Sequence, residues 1–211
     1  MYNPFFPVNS KSNTVIYLVL ANIAIFAVQA LVSGFTETFA LTPSIALQGA
    51  YWQFFTYMFL HGGFYHIFIN MFVLLVFGIP VESSLGRKKF LALYFISGLF
   101  SAVFYMLLTT ESAVMMLGAS GAIFAVLTAY GFLFPDSIIL VGFILPVKAK
   151  FAVILFAVIE FFSGAMDLQM GVANFGHLGG IIAGVLIMLY WRHSRRRRKS
   201  PEFRDLEFFW E

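Results

Sequence analysis

The sequence predicts an all-α membrane protein: a bundle of six transmembrane helices, with a long interfacial external loop between helices 1 and 2 and both termini cytoplasmic. Three observations carry that prediction. Of 211 residues, 61% are hydrophobic and only 11% charged, against roughly 45–50% apolar and about 25% charged in soluble domains. Six apolar stretches approach the roughly 17–25 residues that a spanning helix needs. All 13 Lys and Arg then fall in segments that alternate spans place on one side of the bilayer.

Taken in order, the stretches are 14–33, 61–80, 90–109, 118–134, 151–166 and 176–191. Pro80-Val81-Glu82 is read as closing the second, Pro135-Asp136 as closing the fourth, and Pro146 precedes the fifth. With the N-terminus inside, the cytoplasmic segments are the N-terminus, 81–89, 135–150 and the tail from 192. These hold Lys11, then Arg87, Lys88 and Lys89, then Lys148 and Lys150, then the basic tail from Arg192 through "RRRRK" to Arg204. The external segments 34–60, 110–117 and 167–175 hold none. A wrong helix count would scramble this separation. The chain thus divides into a cytoplasmic N-terminus (1–13), a membrane domain (14–191) and a basic cytoplasmic tail (192–211). The tail reads as an anchor beside anionic lipid, and no nucleic-acid partner is expected. A rival reading takes 14–26 and "AVQA" as a signal peptide with its cleavage site, which would leave five spans of the same orientation.

Two elements depart from an ordinary bundle. The external stretch 34–60 ends in "YWQFFTYMF", and Trp and Tyr favour the membrane–water interface. The fourth helix is short: Gly118 to Phe134 rises about 25 Å against a hydrocarbon thickness of about 30 Å. If Pro135-Asp136 marks the cytoplasmic surface, Ser120 lies several ångströms below the external one. Chain that descends without helix must be buried in protein or line a wet cavity. Ser120 therefore starts a sunken helix beside water.

Polar groups inside spans are expensive and point to function. Ser120 begins a helix between Gly118 and Gly121, where free backbone N–H groups can hold an oxyanion. His177 begins the sixth helix at similar depth on the same side, as a nucleophile–base pair requires. Gly180 and Gly184 follow it on one face, a small-xxx-small spacing that lets helices pack closely. His66 and Asn70, four apart on the second helix, offer donors for the developing oxyanion, with His61 in a weaker supporting role. Each residue alone has a plainer reading as packing group or helix bridge; their joint placement at one depth favours hydrolysis. No carboxylate is placed to orient His177, because Asp167 is in a loop and Glu160 reads as a deeper, structural hydrogen-bonding residue. The expected arrangement is a Ser–His dyad. Glu82 is read as bracing the following loop near Arg87. The chain has no cysteine, so no thiolate chemistry is available, and no spacing suggests a zinc site. No metal or other cofactor is expected.

These residues resemble the rhomboid family of intramembrane serine proteases. The family's glycine-x-serine-glycine motif matches Gly118-Ala119-Ser120-Gly121, its H-x4-H-x3-N pattern matches His61, His66 and Asn70, and its sixth-helix histidine with spaced glycines matches His177, Gly180 and Gly184. The resemblance covers residues 14–191. It implies that Ser120 is the nucleophile, that His177 is the general base and acid, and that His66, Asn70 and the Ser120 backbone N–H form the oxyanion hole. It implies that Phe124 occupies a position where the family often stacks a tyrosine on the histidine. The family's Trp-Arg in the first external loop is here Trp52-Gln53, so an ion pair bracing that loop is not expected. Substrates implied are single-pass membrane proteins cut near the external face, entering from the lipid bilayer between the second and fifth helices. A chain with little beyond the six-span core resembles bacterial members, which implies a bacterial inner membrane. Two rivals remain: a rhomboid-like protein that binds membrane clients without cutting them, and a transporter using His and Glu160 as a proton relay.

Overall fold

In a bilayer each backbone N–H and C=O must be paired within the protein, so a long apolar run has little choice but helix. The computed structural model describes residues 13–109, 114–142, 144–166 and 173–198, and within these the chain is mostly helical. Helices occupy all six apolar stretches: α1 (Thr14–Leu31), α5 (Phe64–Leu85), α6 (Arg87–Leu108), α7 (Ser120–Leu133), α8 (Ala149–Ala165) and α9 (Asn174–Arg198). Between α1 and α5 lie the short helices α2 (Phe35–Phe39), α3 (Pro43–Leu47) and α4 (Gln53–Thr56), followed by a 3-10 turn at Tyr57–Phe59. Among the described residues, four helices are long and apolar enough to cross a membrane: α1, α5, α6 and the Asn174–Ser194 part of α9. The chain is an integral membrane protein by this measure. Lys11, Asp167, Lys199, Arg204 and the terminal "PEFRDLEFFWE" lie outside the described residues.

The core is built around α7, which packs against α5, α6, α8 and α9. Its small residues make this possible: Gly121, Ala122, Ala125 and Ala129 are all buried. The tightest approach is to α9. A methyl group on Gly180 would run into the carbonyl oxygen of Gly121, and one on Gly184 would stand 2.9 Å from Thr128 Cβ and 3.0 Å from Ala125 Cα. Helices so close gain dispersion contacts that lipid tails cannot supply to either alone.

Three expectations about this architecture are corrected. Pro80 does not close the second helix; α5 continues through it to Leu85. Breaking a helix in hydrocarbon would strand several backbone groups, whereas a proline within it forfeits one hydrogen bond. Glu82, expected to brace the loop near Arg87, is engaged with α1. It is buried, and its two carboxylate oxygens accept the backbone N–H groups of Thr14 (3.0 Å) and Val15 (3.1 Å). Those N–H groups belong to the first turn of α1, where no intrahelical partner exists. The acid thus caps a different helix, 68 residues away in sequence.

The all-α expectation also needs amendment. Residues 135–150 contain a hairpin of β1 (Ile138–Val141) and β2 (Leu145–Lys148), paired antiparallel with Ile138 opposite Lys148. The turn uses Gly142 at φ +60°, a backbone region that side chains other than glycine rarely adopt. Lys148 and Lys150 approach Asp136 at 3.5 and 3.0 Å, and the hydrogen bond from Lys150 holds the exposed Asp136 carboxyl below the usual carboxylate range. Together with Arg87, Lys88, Lys89 and Arg192, these cations occupy the end of the bundle opposite Ser120. Lys89 sits over the ring of Trp191 at 5.5 Å, tying α6 to α9 at that end.

Candidate active site

The chain entering α7 is held from both sides. Leu41 and Met116 exchange backbone hydrogen bonds of 2.9 and 2.8 Å, and the Gly118 N–H donates to the Tyr57 carbonyl at 2.9 Å. Tyr57 is itself fixed, its buried hydroxyl donating to the Gly98 carbonyl at 2.7 Å. The loop between α1 and α5 therefore clamps the strand-like approach to Ser120. That loop is braced where an ion pair was not expected: Gln53 is buried, accepts from the Thr42 N–H at 3.0 Å and donates to the Thr38 carbonyl at 3.2 Å. The Trp52 indole donates to the same carbonyl at 3.0 Å. A neutral amide does locally what two charges could do only with a desolvation cost.

Ser120 is the first residue of α7, and its neighbour Gly118 has φ +127°. Glycine is required there twice over. The backbone conformation is left-handed, and a Cβ would stand 3.0 Å from His66 Cε1 and Nε2. The His66 ring thus lies against the turn that carries Ser120. Its Nδ1 accepts a hydrogen bond from the Gly62 N–H at 3.2 Å, which leaves the proton on Nε2, the atom facing Gly118. An N–H donor is thereby aimed beside the serine. Asn70 donates to the His66 carbonyl at 2.8 Å and lines the same cavity; its second amide N–H stays available. His61 is buried behind this pair, edge-on to His66 at 5.2 Å between ring centres. Its backbone N–H donates to Gln29 Oε1 at 3.0 Å and its carbonyl accepts from Gln29 Nε2 at 2.9 Å, so α1 fixes the entry to α5.

His177 lies three residues into α9. Its Nε2 stands 2.7 Å from Ser120 Oγ, and with the hydroxyl donating, Nε2 is the acceptor and Nδ1 carries the proton. Two features set this distance. The Gly121–Gly180 approach brings α9 onto α7, and Ser101 on α6 donates to the Gly176 carbonyl at 2.6 Å, fixing the first turn of α9. The Phe124 ring covers the imidazole at 4.7 Å between centres, tilted by 32°. His66, Asn70, Ser120, Phe124 and His177 all line one cavity of about 1020 Å³. Along α5 this cavity extends from Tyr65 to Phe77, roughly 18 Å of helix, with α8 and β1 on the far side.

The expectation that no carboxylate stands behind His177 is wrong. Glu160 Oε2 lies 3.1 Å from His177 Nδ1, with both side chains only 13–14% exposed. The oxygen sits off the ideal N–H line, and neither atom has a hydrogen-bond partner of good geometry. Sequence reasoning put Glu160 too deep. Counting from the connection between α8 and α9 corrects this: Glu160 precedes the end of α8 by five residues and His177 follows the start of α9 by three, so the two face each other near one end. Gln29, Gln53, Tyr57 and Ser101 were also missed as site-building residues. Each is a polar group within or beside an apolar run, the signal that flags the others.

A family model, the Rhomboid domain, matches residues 48–194. Rhomboid protein 1, mitochondrial, of Saccharomyces cerevisiae is 35% identical over 137 residues, covering 63% of this chain and 39% of that protein. Rhomboid protease AarA of Providencia stuartii is 32% identical over 167 residues, covering 69% and 57%. Rhomboid-like protease 3 of Toxoplasma gondii is 26% identical over 197 residues, covering 88% and 72%. The chain spans less than half the length of several mitochondrial and plant relatives that it matches.

Proposed function

The chain belongs to the rhomboid family, and we propose that it is an intramembrane serine endopeptidase that cuts single-pass membrane proteins near the external face of the bilayer. The observation that carries this reading is the 2.7 Å approach of His177 Nε2 to Ser120 Oγ inside a cavity long enough to take an unwound peptide segment. Ser120 Oγ attacks the scissile carbonyl while His177 takes its proton, forming a tetrahedral intermediate. The Ser120 N–H, the His66 Nε2–H and the free amide N–H of Asn70 converge on the new oxyanion. His177 then returns the proton to the leaving amine, and water hydrolyses the acyl-enzyme. Between α5 and α8 the cavity wall offers the way in for a transmembrane segment from the lipid. The family resemblance supports single-pass substrates, and the separation of charge between the two ends of the bundle supports both termini in the cytoplasm.

The test is cleavage of single-pass membrane proteins co-reconstituted with the chain in liposomes, beside Ser120→Ala. The native chain is expected to release a fragment and the variant none. Flux of ions or solutes without cleavage would instead favour a transporter, and client binding without cleavage a silent relative. In the same assay Asn70→Ala is expected to lower kcat by about 10²–10³-fold with an unchanged thermal midpoint, because among the described residues Asn70 bonds only to its own helix backbone. An unchanged rate would remove Asn70 from the oxyanion hole.

A further inference from the structure

We propose that Glu160 is a positioning residue for His177, completing a Ser120–His177–Glu160 arrangement; the inference rests on the protease reading and deepens it. Three observations lead there. The Ser120 hydroxyl engages Nε2 at 2.7 Å, so the His177 proton must sit on Nδ1 and point away from the serine. The carboxylate oxygen nearest that atom, Glu160 Oε2, lies 3.1 Å from Nδ1, off the N–H direction at rest. Among the described residues no Lys or Arg forms an ion pair with Glu160, so the His177 imidazole is the basic group it faces. The other titratable groups lining the cavity are Tyr65 and His66 on α5 and Tyr130 on α7.

The placement gives Glu160 two jobs. At rest it holds the ring in the Nδ1–H tautomer, leaving the Nε2 lone pair for the serine proton. As the proton moves from Ser120 Oγ to Nε2, the ring becomes an imidazolium, and the carboxylate meets a full positive charge. That attraction exists in the transition state and hardly at all in the ground state, which is the condition for accelerating chemistry. The off-line approach in the resting geometry calls for a modest rotation of the carboxyl about its last bond, a soft torsion. The Phe124 ring on one face of the imidazole keeps the ring from tilting away.

Glu160→Gln separates this role from a structural one, because the amide keeps the shape while its N–H₂ favours the opposite tautomer. The expected result is a fall in kcat of about 10²–10⁴-fold with KM and thermal midpoint unchanged. Glu160→Asp should recover part of the rate. A rate within threefold of native, or a loss that Glu160→Asp does not partly recover, would overturn the proposal. Should Glu160→Gln not fold, ¹⁵N-histidine spectra of the native protein decide, with the His177 signal identified by its loss in His177→Ala. A proton on Nδ1 is expected, and a proton on Nε2 would overturn the inference. Failure here is distinguishable from failure of the protease reading, which shows as a native chain that cleaves nothing and matches Ser120→Ala.

Discussion

In His177→Ala, kcat is expected to fall by about 10⁵–10⁶-fold while the bundle stays folded. Without the imidazole, Ser120 keeps its proton at neutral pH and is a poor nucleophile. What remains is the proposed oxyanion pocket around Gly118, His66 and Asn70, which by itself would supply only a residual rate. The fold should tolerate the change because His177 does not hold α9 in place. That is done by the Gly180 and Gly184 approach to α7 and by the Ser101 bond to Gly176. Two groups that act as one unit are strongly non-additive. The double variant Ser120→Ala/His177→Ala should therefore be no slower than either single one. Single-turnover cleavage checks both statements, and a loss below about 100-fold would mean that another base serves Ser120.

Gly180→Ala is expected to damage both stability and activity. The added methyl would overlap the Gly121 carbonyl oxygen and stand 2.8 Å from its carbon. Backbone cannot rotate aside as a long side chain can, so α9 must shift away from α7. Overpacking of this kind costs about 1–3 kcal/mol, read as a lower unfolding midpoint. Gly180 lies one turn after His177, so the same shift lengthens the 2.7 Å contact to Ser120. A displacement of about 1 Å can cost roughly 10²-fold in rate. Gly184→Ala, whose added methyl would meet Thr128 Cβ at 2.9 Å and Ala125 Cα at 3.0 Å, lies two turns from His177 and should lose stability with a smaller loss of rate. Equal activity in Gly180→Ala and the native chain would show that α9 does not set the Ser120–His177 distance.

The helical segments were legible because hydrocarbon leaves an apolar run one main way to satisfy its backbone. Ser120, His177, His66 and Asn70 could be found as polar exceptions within those runs, and the structure brings all four to one cavity. What stayed hidden has specific causes. Glu82 was paired with its sequence neighbour Arg87, whereas its partners are backbone N–H groups of α1, which no side-chain pattern advertises. Glu160 was read as deeper than His177, although it stands only five residues before the end of α8. The hairpin left a signal that went unused: two short apolar, partly β-branched runs, "IILV" and "LPVK", around a glycine turn. Pro146 in the second run was read only as a breaker, although an edge strand accommodates it. The loop helices α2 to α4 are shaped by Gln53 and Tyr57 bonding to distant carbonyls, a long-range effect absent from local pattern.

The most direct measurement is labelling of the purified protein with a fluorophosphonate probe, beside Ser120→Ala and His177→Ala. The site geometry predicts covalent labelling of the native chain, none in Ser120→Ala, and labelling slowed by orders of magnitude in His177→Ala. A well-folded native chain that takes no label, or a Ser120→Ala variant that labels as fast as native, would contradict an activated serine at the head of α7.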